Sequence, residues 1–191
     1  MTSGARYATH YHRGDRRPFQ SLSALDDRDV DAVLATLAGG SRRRFGPRYL
    51  ALRRATEAKA RDLFTKVGGR PLRRHPHYFV LGRSPWFAGL YDDPREMRIA
   101  LADLPPAATS FTWTDSIGAL GLGHHLGVPS PVEAWKRLLH PLDQLDLAVA
   151  DSLASSAEED DYEGYQQRLV DQYVEIQLWT DEPVAGWMDD R

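Results

Sequence analysis

The sequence predicts a single mixed α+β domain. After a short opening strand, two segments of helical periodicity precede three short strand-like segments, further helical segments come next, and one strand closes the chain. Helices and strands do not alternate one for one, which favours α+β over a doubly wound parallel sheet. The 191 residues suit one domain spanning 1–191. A chain of this length buries enough surface to need no covalent staples.

Residues Tyr7–His12 alternate as a strand does, and Arg13–Pro18, with Gly14 and Asp15, reads as a loop. Asp26 or Asp27 is placed to cap a helix running to about Leu37, with Gly39-Gly40 ending it. Pro47 suits the first turn of a longer helix stopped by Gly68-Gly69. Tyr49, Leu52, Leu63, Phe64 and Val67 supply its apolar stripe, and Arg53, Arg54, Lys59, Arg61 and Lys66 its other faces. His77–Leu81 is a compact apolar run, expected to be a buried strand. Glu96–Leu101 and Ser110–Thr114 alternate and predict two more strands, with the Pro105-Pro106 break between them. Gly118–Gly127 predicts a loop, and Pro131–Leu139 and Leu142–Leu153 predict helices. Ala154–Asp161 is small and acidic and predicts a mobile loop, as does the polar start of the chain, about residues 1–6. Gln172–Trp179 is the clearest strand.

Composition removes several chemistries. With no cysteine, disulfides, thiolate catalysis and cysteine-ligated zinc are excluded. No apolar run approaches the ~20 residues of a spanning helix. Met1–Arg17 is polar and basic and lacks the apolar core of an export signal, so the expected location is the cytoplasm, away from membranes. The net charge of −3 is unevenly spread. Arg42–Arg74 holds 12 Lys/Arg against Glu57 and Asp62, and Asp143–Arg191 holds 14 Asp/Glu against Arg168 and Arg191. One reading is a nucleic acid, phosphate-bearing ligand or acidic protein partner at the basic segment; the other is that the two parts pair within the fold.

The closing strand carries the sharpest chemical signal. Alternation puts Val174, Ile176 and Leu178 on a core face and Glu175 on the other, with Tyr173, Gln177 and Trp179. A carboxylate between two aromatics suits a cleft in which a ring stacks and a hydroxyl is received; the plainer reading is a surface glutamate. His10-x-His12 and His75-x-His77 each place two imidazoles on one face of a strand, which suits a metal or simply backbone-bonded histidines. Neither pair has acidic residues at a recognised ligand spacing, so no metal ligands are assigned. There is no P-loop and no nucleophile elbow, and Gly121-x-Gly123 is too short for a dinucleotide fingerprint. The arginines around 42–54 suit either a pyrophosphate or the wet face of a helix.

The order of these segments resembles one family over most of the chain. Tyr11-His12 followed by Phe19-Gln20-Ser21-Leu22, Tyr78-Phe79 followed by Arg83-Ser84-Pro85, Met97–Leu101, Phe111 with Thr114-Asp115, and Gln172, Glu175 and Pro183 are similar in order and spacing to the DarT group of ADP-ribosyltransferases. These toxins modify DNA bases using NAD. The motifs are short. The resemblance implies a small mixed or antiparallel split sheet with NAD in the cleft, behind N-terminal helices. It implies Glu175 as the catalytic residue, His12 near the nicotinamide ribose, Tyr78 stacked on the nicotinamide, and Arg83 or an arginine of 42–54 on the pyrophosphate. It implies cleavage of the nicotinamide–ribose bond through an oxocarbenium-like state, with ADP-ribose passed to a nucleic-acid or protein acceptor. Two positions depart from the pattern. Ser116-Ile117 replaces a Gly-His after Thr-Asp, which bears on base modification, and Arg13-Gly14 replaces the end of a His-x-Thr, which bears on NAD binding. Two alternatives stand beside the transferase: a non-catalytic nucleic-acid- or partner-binding regulatory domain on the same fold, and a histidine-ligated metalloenzyme.

Overall fold

A six-stranded antiparallel sheet organises the molecule, in the order β3-β1-β2-β6-β4-β5. The computed structural model describes residues 6–38, 49–91, 93–126, 130–147 and 173–189. The strands are β1 (Tyr7–Arg13), β2 (His77–Leu81), β3 (Pro94–Ala100), β4 (Thr109–Thr112), β5 (His140–Pro141) and β6 (Glu175–Leu178). Among the described residues the helices are α1 (Asp27–Ala38), α2 (Tyr49–Lys66), α3 (Pro85–Ala88), α4 (Ser116–Ala119) and α5 (Ala185–Asp189), with short 3-10 turns between elements. This is one α+β domain, as the segment order predicts.

Local signals explain the ends of the helices. Asp26 Oδ1 accepts from the amides of Arg28 and Asp29 and starts α1. Gly68, at φ +95°, takes the left-handed turn that closes α2, and the Gly69 amide reaches back to the Phe64 carbonyl at 2.9 Å. Gly39-Gly40, Pro47 and the acidic segment 154–161 lie outside the described residues. No helix among those described is long and apolar enough to cross a membrane.

The two faces of the sheet are covered differently. On one, Ala8, Phe79, Leu81, Ile99, Phe111, Ile176 and Leu178 form the main core, closed by Val184 and by Trp187 and Met188 of α5. On the other, Tyr11, Val80 and Tyr173 pack on Trp86 and Leu90 around α3, while Trp179 packs on Ala60 and Phe64 of α2. Every residue of β6 is therefore buried.

The sheet differs from the split sheet expected, in an instructive way. Hydrogen bonding runs through all the strands, but β1 pairs with β3 at seven positions and with β2 at only two, Ala8↔Leu81 and Thr9↔Val80. Beyond Thr9 the β1–β2 ladder stops. The His10 imidazole fills in there, with Nδ1 meeting the Tyr78 carbonyl at 2.9 Å.

Three other expectations need correction. Pro131–Leu139 is not a helix but a 3-10 turn, Ala134–Arg137, leading into β5. Its helix-spaced apolar residues do not find a core: Val132 and Leu138 are exposed, and only Leu139 is well buried. Leu142–Gln144 is likewise 3-10, with 148–153 outside the described residues. The glycine-rich stretch expected as a loop begins inside α4, whose first turn Asp115 caps through the Gly118 amide at 2.9 Å.

Candidate active site

A cavity of about 580 Å³ opens where the β1–β2 ladder stops. Its walls come from β1 and the loop after it, from α2 and β2, from α3, from the start of α4, and from Glu175 on β6. By alternation His12 shares the Ala8 face of the sheet, whereas Tyr78 and Glu175 share the opposite one. All three line this one cavity. The interrupted ladder accounts for that reach across two faces.

Glu175 is 9% exposed. Its Oε1 accepts from the Ser116 amide at 3.2 Å and from Gln177 Nε2 at 3.0 Å. Burial, reinforced by the neighbouring Asp115 carboxyl, pushes its pKa up to about 7, against the opposing pull of those two donors and of Arg53. Burial also raises the Asp115 pKa. Gln177 holds the glutamate in place: its Oε1 accepts from Ser110 Oγ, and its Nε2 also donates to Thr112 Oγ1. Ser110 Oγ in turn accepts from Trp179 Nε1 at 2.9 Å. The face predicted to be polar and aromatic is a buried hydrogen-bonded row.

Tyr78 donates from its hydroxyl to Glu57 Oε1 at 3.1 Å, and Arg53 lies over its ring at 4.6 Å. Burial raises the phenol pKa well above its ordinary value. Glu57 is fully buried and collects Ser23 Oγ, Arg53 Nε and Tyr78 on Oε1, and His75 Nδ1 on Oε2 at 2.6 Å. A buried carboxylate held by this many donors fixes the groups around it. Arg53 Nη1 also donates to Tyr49 at 3.0 Å.

Both nitrogens of His10 are engaged. Nε2 accepts from the Phe19 amide at 3.1 Å, so Nδ1 carries the proton donated to Tyr78. Burial lowers its pKa to about 3, so the ring is neutral. Phe19 stacks on it at 4.2 Å and adopts φ +60°, a rare conformation for a bulky side chain, beside the cavity. His12 Nδ1 donates to the carbonyls of Arg13 and Arg16 at 2.8 and 3.0 Å, which leaves Nε2 as the ring nitrogen not engaged by that loop.

Arg83 stands apart. It is an exposed residue paired with Glu96 at 3.1 Å and is not among those lining the cavity. Of the arginines in the 42–54 cluster, Arg53 does line the cavity. Both His-x-His pairs bind the protein itself, His75 to Glu57 and His77 to Asp181. No group of three or more metal-ligating side chains is arranged to hold an ion among the described residues. The basic helix is also largely consumed internally. Arg54 donates to the Ser23 and Leu25 carbonyls, Lys59 to Leu120, and Arg61 to Pro71 and Arg73.

Glu57, Gln177 and the bridging role of His10 were not singled out from sequence. Arg53, Glu57, Ala60 and Phe64 recur at spacings of one helical face, a pattern that marks Glu57 as a buried acid paired with the arginine one turn earlier. Comparison of the chain with models of known protein families, with curated proteins and with solved structures finds no match.

Proposed function

We propose that the protein is an ADP-ribosyltransferase-like enzyme that consumes NAD, with Glu175 as the catalytic residue. One observation carries the reading. A buried carboxylate with a pKa raised to about 7 shares a cavity of about 580 Å³ with His12 and Tyr78. Carboxylates poised near neutrality inside a cleft are suited to proton transfer.

The side chains present fit NAD. His12 Nε2 offers an acceptor for a ribose hydroxyl, and the Tyr78 ring, backed by Arg53, offers a face for a planar cation or amide. Bound NAD supplies a glycosidic bond whose cleavage develops positive charge at the ribose carbon. Glu175, ionised, stabilises that charge and accepts the proton of the incoming nucleophile. Ser116 and Gln177 fix the orientation of its carboxylate. Asp115 keeps the pair from ionising together and so holds Glu175 near its working range.

The acceptor is a nucleic acid or a protein. Incubation with NAD plus oligonucleotide, and separately with NAD plus lysate, tests both arms by release of nicotinamide and transfer of label. Release that falls at least a hundredfold in Glu175→Ala supports the reading. Absence of release in every arm refutes catalysis, and NAD binding without turnover assigns the non-catalytic domain instead.

A further inference from the structure

The loop after β1 carries an unused positive charge. The cavity wall holds five arginines (13, 16, 17, 53 and 73) against the carboxylates Asp115 and Glu175. Three of them are committed: Arg13 to Asp15, Arg53 to Glu57 and Arg73 to Asp181. Among the described residues, the Arg16 guanidinium has neither a hydrogen-bond acceptor nor an ion-pair partner, although exposed Asp15 lies within its electrostatic reach. Arg16 Nε, Arg13 Nη1 and Ser21 Oγ are all buried without partners, and all three residues line the cavity. Buried polar atoms are nearly always satisfied, so two guanidinium nitrogens and a hydroxyl without partners, in residues that line one cavity, point to a group that the chain itself does not supply.

The loop is also held in place. The Gly14 amide bonds the Asp93 carbonyl at 2.8 Å, and the Arg16 amide bonds the Arg13 carbonyl at 3.1 Å. The His12 ring grips the carbonyls of Arg13 and Arg16. That grip ties both guanidinium-bearing residues to the imidazole of the site. The turn occupies the stretch where the sequence departs from His-x-Thr.

We propose that Arg16, with Arg13 and Ser21, forms an anion subsite of this cavity that takes the diphosphate of a nucleotide ligand. Arg16 brings a guanidinium fork that the described residues do not occupy, and Arg13, whose Nε and Nη2 are held by Asp15, adds its remaining Nη1; with the Ser21 hydroxyl these groups match adjacent phosphates better than a single one. The subsite deepens the NAD reading and rests on it only for the identity of the natural ligand.

Calorimetric titration of the full chain with inorganic pyrophosphate, and separately with inorganic phosphate, tests the subsite without NAD. The expected result is one-to-one binding of pyrophosphate, tighter than phosphate. Arg16→Gln weakens it tenfold or more, Arg16→Lys weakens it less, and exposed Arg137→Gln leaves it unchanged. Melting temperatures establish that each variant is folded; should Arg16→Gln fail to fold, Arg16→Lys carries the comparison. No binding at millimolar pyrophosphate, equal binding by wild type and both Arg16 variants, or equal weakening by Arg137→Gln overturns the subsite. Pyrophosphate bound through Arg16 with no nicotinamide released from NAD keeps the subsite and removes the transferase. Nicotinamide release undiminished in Arg16→Gln does the reverse.

Discussion

Glutamine at position 175 keeps the size of the side chain and removes its ionisation, so Glu175→Gln separates what the carboxylate does for function from what it costs the fold. The folded-state pKa of about 7 stands above the ordinary value of 4.5. The fold therefore binds this proton more tightly than the unfolded chain does. The associated stability is fully present below about pH 4.5 and is lost as pH rises through about 7. At about 1.4 kcal/mol per pKa unit, the raised value corresponds to about 3 kcal/mol by about pH 8. Urea unfolding of wild type and Glu175→Gln across this range isolates the contribution of the Glu175–Asp115 pair, because titrating groups not coupled to it cancel in the difference. The variant is expected to gain on wild type by about 3 kcal/mol between about pH 4.5 and 8, while NAD-dependent release of nicotinamide is lost. The wild-type release rate is expected to rise with pH through about 7, since the ionised form does the work. A stability difference that is flat with pH refutes the buried, raised carboxylate. A glutamine variant that retains turnover refutes its catalytic role.

Three further outcomes follow from the same packing. His10→Phe leaves the Tyr78 carbonyl and the Phe19 amide without their partner, for a loss of about 2–5 kcal/mol in denaturant unfolding. Because His10 is neutral in the fold, with its pKa lowered to about 3, its contribution is fully present above about pH 6.5 and lost on acidification toward 3, so the variant responds less to acid over that interval. Glu57→Leu strands a buried Arg53 and three other donors, and is expected to cost about 3–5 kcal/mol; Glu57→Gln, which keeps an acceptor, costs less, and equal losses in the two argue against an ionic role. Val132→Ser, at a residue 86% exposed, changes stability by no more than about 0.5 kcal/mol.

The strands were legible because alternation is a local signal. β1 and β2 fall within a residue of their expected bounds, β6 (Glu175–Leu178) is shorter than the expected 172–179 and lies inside it, and Val174, Ile176 and Leu178 belong to the main core while Glu175 does not. The 131–139 segment was misread because helical spacing of Val132, Trp135 and Leu138 describes a face but not what covers it. Tertiary pairing of His140–Pro141 with β4 decided the outcome. Alternation also predicted a face for Glu175 without revealing that α2 and α4 bury it. Arg83 was placed by motif order alone, and order does not encode whether a side chain on a loop turns into a cleft or onto Glu96.

The short β1–β2 ladder is the step that joins fold to chemistry. A full ladder would place His12 and Glu175 on opposite faces of a closed sheet, with no common space. Ending it at Thr9↔Val80 leaves backbone groups that must be satisfied, and a side chain meets that demand: the neutral His10 ring bridges the Tyr78 carbonyl and the Phe19 amide. Protonating that ring would leave Nε2 a donor facing the Phe19 N–H, also a donor, and would break the bridge. The neutral His10 ring thus holds the end of the ladder in place beside the cavity that Glu175 lines. The opposed shifts of these two groups leave a window, above the acid range in which His10 charges and around the neutral range in which Glu175 ionises, where the His10 bridge is intact while the Glu175 carboxyl titrates.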